Sequence, residues 1–406
     1  MKKIIKYTSV LTVILLFTVQ YLYSQSWFRL ESNTGSHLFG IDFINENMGI
    51  STGQNGEIRA TTNGGLMWFS LQSGTDRDLN SIDIIDSYTA FVAGQNGTIL
   101  KTVNLGMMWT SQSSGTDRDL NSVFFSSGQI GWAAGNEGTI IYTANGGNIW
   151  IPQVSGTMRD LNTISFTGSA GWAAGDNGTI IYTNNNGGTW SAQVSGTDRD
   201  LLGLRIVTYN NVFAVGTWGT IKRTTNAGIN WVDLNSGTGE DLHSIFFTSA
   251  YTGYAVGHSG IIIKTTNGGN TWYTLQTPTD RELRSLVFVN NTGYAAGKNG
   301  EIIKTGENLG ITQISSEAPR DFMLEQNYPN PFNPSTNIEF SLPVSSKVNL
   351  SVYDITGKET AVLFNGFLER GSYNYHFEPD NLSSGLYIYI LRAGDAVQTK
   401  RMLLVK

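Results

Sequence analysis

The chain has 406 residues, 40% of them hydrophobic and 14% charged, with a formal net charge of −6 and no cysteine. The acidic balance argues against nucleic acid as a partner, which would select a basic surface. Without cysteine there is no disulfide framework and no lipid-anchoring thiol, and the four histidines, His37, His243, His258 and His376, stand at no ligand-like spacing, so neither a metal nor another cofactor is expected.

At the N-terminus Lys2, Lys3 and Lys6 precede an apolar run over residues 8–19, with the small Ser24 ahead of Gln25. That is the layout of a secretory signal peptide spanning residues 1–24. The run is short for a transmembrane segment and no other stretch approaches one.

Tryptophan then recurs at Trp27, Trp68, Trp109, Trp150, Trp190, Trp231 and Trp272, a period of about 41 residues. A unit of this length cannot bury its apolar face alone and must stack on its neighbours. Inside each unit the pairs Ile41/Phe43, Ile82/Ile84, Val123/Phe125, Ile164/Phe166, Leu204/Ile206, Ile245/Phe247 and Leu286/Phe288 alternate with period two, the signature of a strand with one buried face. A second short segment carries alanines, as in Ala133-Ala134, that suit a crowded place near a central axis. A third begins just after a glycine, and the fourth opens with the recurring Trp. Four short strands per unit make a blade, and seven blades close into a ring over residues 25–305. The last unit lacks its Trp strand, while a lone Trp strand, residues 27–30, begins the mature chain; it is expected to complete the last blade.

Strands two and three are joined by Gly-x-x-Gly, four times containing Asn-Gly, whose tolerance of positive φ fits a tight hairpin. A phosphate-binding loop would require a helix to follow, and a β-rich strand follows instead. Between strands three and four, Thr-x-Asn-x-Gly-x-x-Trp occurs six times, from Thr61/Asn63/Gly65/Trp68 to Thr265/Asn267/Gly269/Trp272. This resembles the Asp-box, or bacterial neuraminidase repeat, with Asn accepting the backbone bonds usually taken by Asp. The whole unit, with its Ser-Gly-Thr-x-Arg-Asp-Leu opening, is similar to the repeats of photosystem II assembly and stability factor propellers. The resemblance implies a seven-bladed, non-enzymatic, protein-binding propeller.

The connections from blade to blade carry Arg77/Asp78, Arg118/Asp119, Arg159/Asp160 and Arg199/Asp200, with Arg281 in a variant. They emerge on the hairpin face as a ring of alternating charge. Each Arg either bridges blades by pairing with an Asp or presents itself to a ligand. Departures from the repeat are the more informative sites: Trp218 and His258 in hairpins, Glu240 and His243 in a connection without Arg, and Arg284 with Lys298 beyond. Exposed Trp beside His, Glu and Arg suits a binding surface.

From Pro319 onward the composition changes. The run Tyr328-Pro329-Asn330-Pro331-Phe332-Asn333-Pro334 opens alternating strands at 337–342, 347–353, 360–364, 372–377, 385–391 and 397–405, which read as a small immunoglobulin-like β-sandwich over residues 322–406 after a linker, 306–321. This region resembles the type A sorting domain of the type IX secretion system, on its Asn-Tyr-Pro-Asn-Pro-Phe-Asn-Pro opening, Val352-Tyr353-Asp354 with Gly357, Leu382-Ser383-Ser384-Gly385-Leu386-Tyr387, and basic end from Lys400 to Lys406. The resemblance implies a secretion translocon as partner and a secreted product, or one displayed on the outer-membrane surface of a gram-negative bacterium, reached through the periplasm.

The fold expected is all-β: a seven-bladed propeller followed by an immunoglobulin-like sandwich. The function expected is a binding module for an extracellular protein or glycan. The alternatives are a polysaccharide-acting glycoside hydrolase or lyase and a surface scaffold without a specific ligand. No Gly-x-Ser-x-Gly or His-Glu-x-x-His motif points to catalysis, and Glu240 with Asp241 is the one uneven acidic pair.

Overall fold

The computed structural model describes residues 27–290, 292–305, 311–315, 317, 319–368, 370–379 and 382–405; the signal peptide expected at 1–24 lies outside them. Among the described residues, seven antiparallel sheets of four strands each follow one another along the chain. Blade 1 consists of Leu38–Phe43, Gly49–Gly53, Glu57–Thr61 and Phe69–Gln72, and its strands pair in sequence order. Blades 2 to 6 repeat this plan. Blade 7 is composite: Leu283–Val289, Thr292–Gly297 and Ile302–Thr305 receive Trp27–Leu30 as fourth strand, with Trp27 opposite Thr305 and Leu30 opposite Ile302. The ring is therefore closed by strand pairing, as the missing Trp strand predicts, and no long edge is left open there.

The 41-residue period has a packing cause. In five blades the recurring Trp meets the Phe of the first-strand pair edge-on, as in Phe43–Trp68 at 5.9 Å and 87° and Phe125–Trp150 at 5.8 Å and 89°. The same Phe stacks on an aromatic of the preceding blade: Phe43 on Tyr294 at 3.7 Å, Phe125 on Phe91 at 3.8 Å and Phe166 on Trp132 at 3.7 Å. Each Phe thus welds its own blade to the one before it, and such aromatic pairs add to the area they bury. The close approach requires glycine at the start of the second strand. A Cβ on Gly131 would lie 2.5 Å from the Phe125 ring. The Thr-x-Asn loops are tied internally: Thr143 Oγ1 donates to Asn145 Oδ1 at 3.0 Å, Gly147 N–H donates to Thr143 Oγ1 at 3.0 Å, and Ile149 N–H donates to Asn145 Oδ1 at 2.9 Å. Those bonds satisfy backbone donors that would otherwise be orphaned beside a buried Trp.

The second-strand alanines, expected near the axis, are buried between blades instead, with Ala133 and Ala134 fully enclosed. The axis is lined by first strands, whose Ser81, Ser122 and Ser285 look into the central channel. The reason is geometric: the innermost strand is the one that begins each blade, and its outward-alternating side chains have only the channel to face.

Beyond the ring, two four-stranded sheets form the tail. One contains Thr336–Leu342 and Gly371–Phe377, the other Ser346–Tyr353, Glu359–Leu368, Gly385–Ala393 and Ala396–Leu404, and their inner faces share a core built on Phe340, Leu350, Tyr389 and Met402. The strand Ile311–Ser315, inside the expected linker, pairs with Gly371–Phe377. The sandwich accordingly takes in part of the segment 306–321.

Candidate binding face and central channel

Each Gly-x-x-Gly hairpin is a single tight turn whose second x residue is left-handed: Asn55, Asn96, Glu137, Asn177, Trp218, Ser259 and Asn299 all have φ between 51° and 57°. The closing glycine has positive φ as well; a Cβ on Gly219 would lie 2.1 Å from the carbonyl oxygen of Thr238. The turns are held by the blade-to-blade connections. Asp78, Asp119, Asp160 and Asp200 each accept, through Oδ1, the N–H of the left-handed residue in the preceding blade, from Asn55, Asn96, Glu137 and Asn177 at 2.8–2.9 Å. Arg77, Arg199 and Arg281 donate the other way, to the carbonyls of Asn96, Trp218 and Asn299 in the following blade at 3.0–3.1 Å. Arg118 instead meets Glu137 at 2.8 Å, while Arg159 is exposed.

This differs from an Arg–Asp pairing across blades. At Arg77/Asp78 and Arg199/Asp200 the Arg and the Asp each take a backbone group, one per neighbouring hairpin, so these connections strap two blades together. At the ring closure His37 stands where Asp stands elsewhere, and Asn299 N–H donates to its Nδ1 at 3.1 Å. Apart from Arg159, the repeated charges are therefore engaged in holding the hairpins, which leaves the departures as the candidate site.

Those departures fall into two neighbouring clusters on the hairpin face. In the first, Trp218 is 70% exposed although a bulky residue at φ 57° is strained. Its N–H donates to Asp241 Oδ1 at 2.8 Å and its carbonyl accepts from Arg199. Glu240 accepts from the Ser259 hydroxyl at 3.2 Å, beside the exposed His258. Glu240 and Asp241, the uneven acidic pair, are thus each occupied by a structural partner. In the second cluster a buried carboxylate, Glu282, gathers His243 at 3.3 Å, Arg284 at 2.7 Å and Lys298 at 2.5 Å. Burial pushes the Glu282 carboxyl up, but the Lys298 hydrogen bond, Arg284 and His243 outweigh it and hold the group below its ordinary value. Burial also lowers His243, against the pull of Glu282, so the imidazole is neutral at neutral pH.

Sequence reasoning passed over the far part of the channel. Asp42 and Asp83 occupy the channel-facing position inside the strand pairs of blades 1 and 2, where blades 3, 4, 6 and 7 carry Phe124, Ser165, Phe246 and Val287. The signal was present: a charged residue between the two apolar members of a pair must face the axis. Asp42 accepts from the N–H of Ile84 at 2.7 Å, and Asp83 from that of Phe125 at 2.5 Å. Burial pushes Asp42 up to about 6, and burial together with Asp42 pushes Asp83 up to about 8. Arg205 provides the opposing charge for Asp42 while its guanidinium lies 3.8 Å from the centre of the Phe246 ring. Among the described residues no group of three or more His, Cys, Asp or Glu side chains could hold a metal ion, and no helix is long and apolar enough to cross a membrane.

Residues 326–406 match the family model of the secretion system C-terminal sorting domain, and residues 108–239 match that of the photosynthesis system II assembly factor YCF48. The chain joins a YCF48-like propeller to a sorting tail. Among solved structures, YCF48 bound to D1 peptide has a TM-score of 0.62 at 16% identity, covering 71% of this chain and 97% of that one. YCF48 from Cyanidioschyzon merolae gives 0.60 at 18% identity, covering 69% and 98%. The WD40 repeats of RRP9 give 0.56 at 9% identity, covering 69% and 97%, so the likeness is one of propeller architecture. No curated protein matches the chain. The YCF48-like propeller shares its blade plan with all three.

Proposed function

We propose that the chain is an exported recognition module, carried out of the cell by its sorting tail and binding a protein segment on the hairpin face of its propeller. The observation that carries this reading is Trp218, an aromatic ring held in solvent at a strained backbone position that six other blades fill with Asn, Glu or Ser. A strained, exposed aromatic between Arg199 and Glu240 gives a partner chain both an apolar anchor and polar contacts at its rim. Support comes from the peptide complex of YCF48, a protein of the same fold.

The test is peptide selection from a random library on the full chain. Trp218→Ala is expected to weaken the selected peptides by about 2 kcal/mol, roughly thirtyfold, with an unchanged melting temperature. Trp68→Ala, which removes a side chain only 2% exposed, should lower stability by about 3–5 kcal/mol instead. Unaltered peptide affinity in Trp218→Ala would remove this face from the binding role.

Export rests on the tail. Deleting residues 306–406 removes both tail sheets and should leave a folded propeller retained in the periplasm, because a signal peptide alone directs a chain only across the inner membrane. Fractionation of cells expressing the truncated chain decides this; surface display at the normal level would show that export does not depend on the tail.

A further inference from the structure

The channel mouth on the hairpin face encloses about 150 Å³ of free space, lined by the second and third residues of the first strands. Its two sides differ chemically. Across blades 2 to 4, Asn80, Asn121 and Asn162 each donate Nδ2 to a carbonyl of the next blade, Leu120, Leu161 and Leu201, at 3.1 Å. Among the described residues nothing donates to their Oδ1 atoms, so three amide oxygens face the cavity as open acceptors. Below them Ser81, Ser122 and Ser285 each accept a backbone N–H from the following blade at 3.2 Å, which leaves their hydroxyl hydrogens free to donate. Opposite the asparagines stands Arg284, its Nε on Glu282 at 2.7 Å and its guanidinium 5.1 Å from the centre of the Phe39 ring. No described residue takes its Nη atoms.

We infer that this cavity is a saccharide site for one acidic sugar unit, a hexuronate whose ring hydroxyls bond the asparagine oxygens and serine hydroxyls and whose carboxylate bonds Arg284. Size admits a single ring rather than a folded chain. The lining requires a ligand that donates on one side and is anionic on the other. A glutamate side chain would satisfy Arg284 but leave three carbonyl oxygens unpaired in a narrow site, a cost that a polyol avoids. The planar guanidinium matches a carboxylate in two-pronged geometry, and the almost wholly polar lining suits a polyol. The site lies inside the ring, apart from Trp218, and is independent of the peptide reading.

The experiment is calorimetric titration of the full chain with D-galacturonate and, in parallel, with D-galactose. Saturable binding of the hexuronate is expected, with galactose at least about tenfold weaker. Arg284→Gln should bring the hexuronate down to the level of galactose, and Asn121→Leu should weaken both sugars. Trp218→Ala should change neither, which separates this site from the peptide face. No saturable binding of the hexuronate, equal affinity for the two sugars, or a loss in Trp218→Ala but not in Arg284→Gln would each overturn the assignment. Should Asn121→Leu fail to fold, Arg284→Gln carries the test, since Lys298 still neutralises Glu282.

Discussion

A chain lacking residues 27–32 should unfold at markedly lower denaturant than the full ring, with an unfolding free energy reduced by about 3 kcal/mol or more. The deletion removes the fourth strand of blade 7 and exposes the edge of Ile302–Thr305. It empties the sites of Trp27, 5% exposed, and Leu30. Two polar partners leave as well, Arg29 and Ser32, whose hydroxyl donates to the Gly300 carbonyl. Arg29 sits 2.7 Å from Glu301, whose side chain is fully buried, so the carboxylate would be left with Arg281 alone at 3.1 Å. Removing one partner of a buried charge costs more than the pair contributes to stability. Equilibrium urea denaturation measures the effect, and the bared strand should also promote association. An unchanged midpoint would mean that the ring holds without its closing strand.

Asp83→Asn should stabilise the protein at pH 8 by on the order of 1–3 kcal/mol and leave it unaltered at about pH 4. Asp83 is pushed up to about 8, first by burial and then by Asp42. The folded state therefore keeps a proton that the unfolded chain releases near its ordinary value. The stability conferred by that proton is fully present below the unfolded value and is lost as the pH rises through the folded one. Asparagine keeps an acceptor for the Phe125 N–H and removes the charge, so the downward slope of stability between about pH 5 and 8 should flatten. Denaturation of both proteins at the two pH values checks the sign. Equal stability at pH 8 would show that the channel solvates the ionised carboxylate in full.

The blade plan was legible because its causes are local. Period-two alternation, glycine turns and the Thr-x-Asn loop each act within a few residues, so Ile41/Phe43 and its six counterparts marked the first strands and Trp27 marked the closing one. The roles of the charged residues were not legible in the same way. Arg77 and Asp78 sit side by side in sequence but take their partners from hairpins of two different blades, and only the packed ring shows that backbone, not opposite charge, receives them.

Trp218 could be singled out from sequence because it breaks a repeat, and its exposure follows from a turn whose geometry repetition had already set. The channel belongs to a different level. Asp42, Asp83 and Arg205 lie in blades 1, 2 and 5, and alternation alone says that each points inward. Alternation assigns a residue to a face of its own strand; which residues share that face across the axis depends on blade number, tilt and closure, quantities that no segment carries by itself. Closing the ring brings carboxylates from consecutive blades together, sets Arg205 against Asp42, and turns a row of separate strand positions into one enclosed and asymmetric channel.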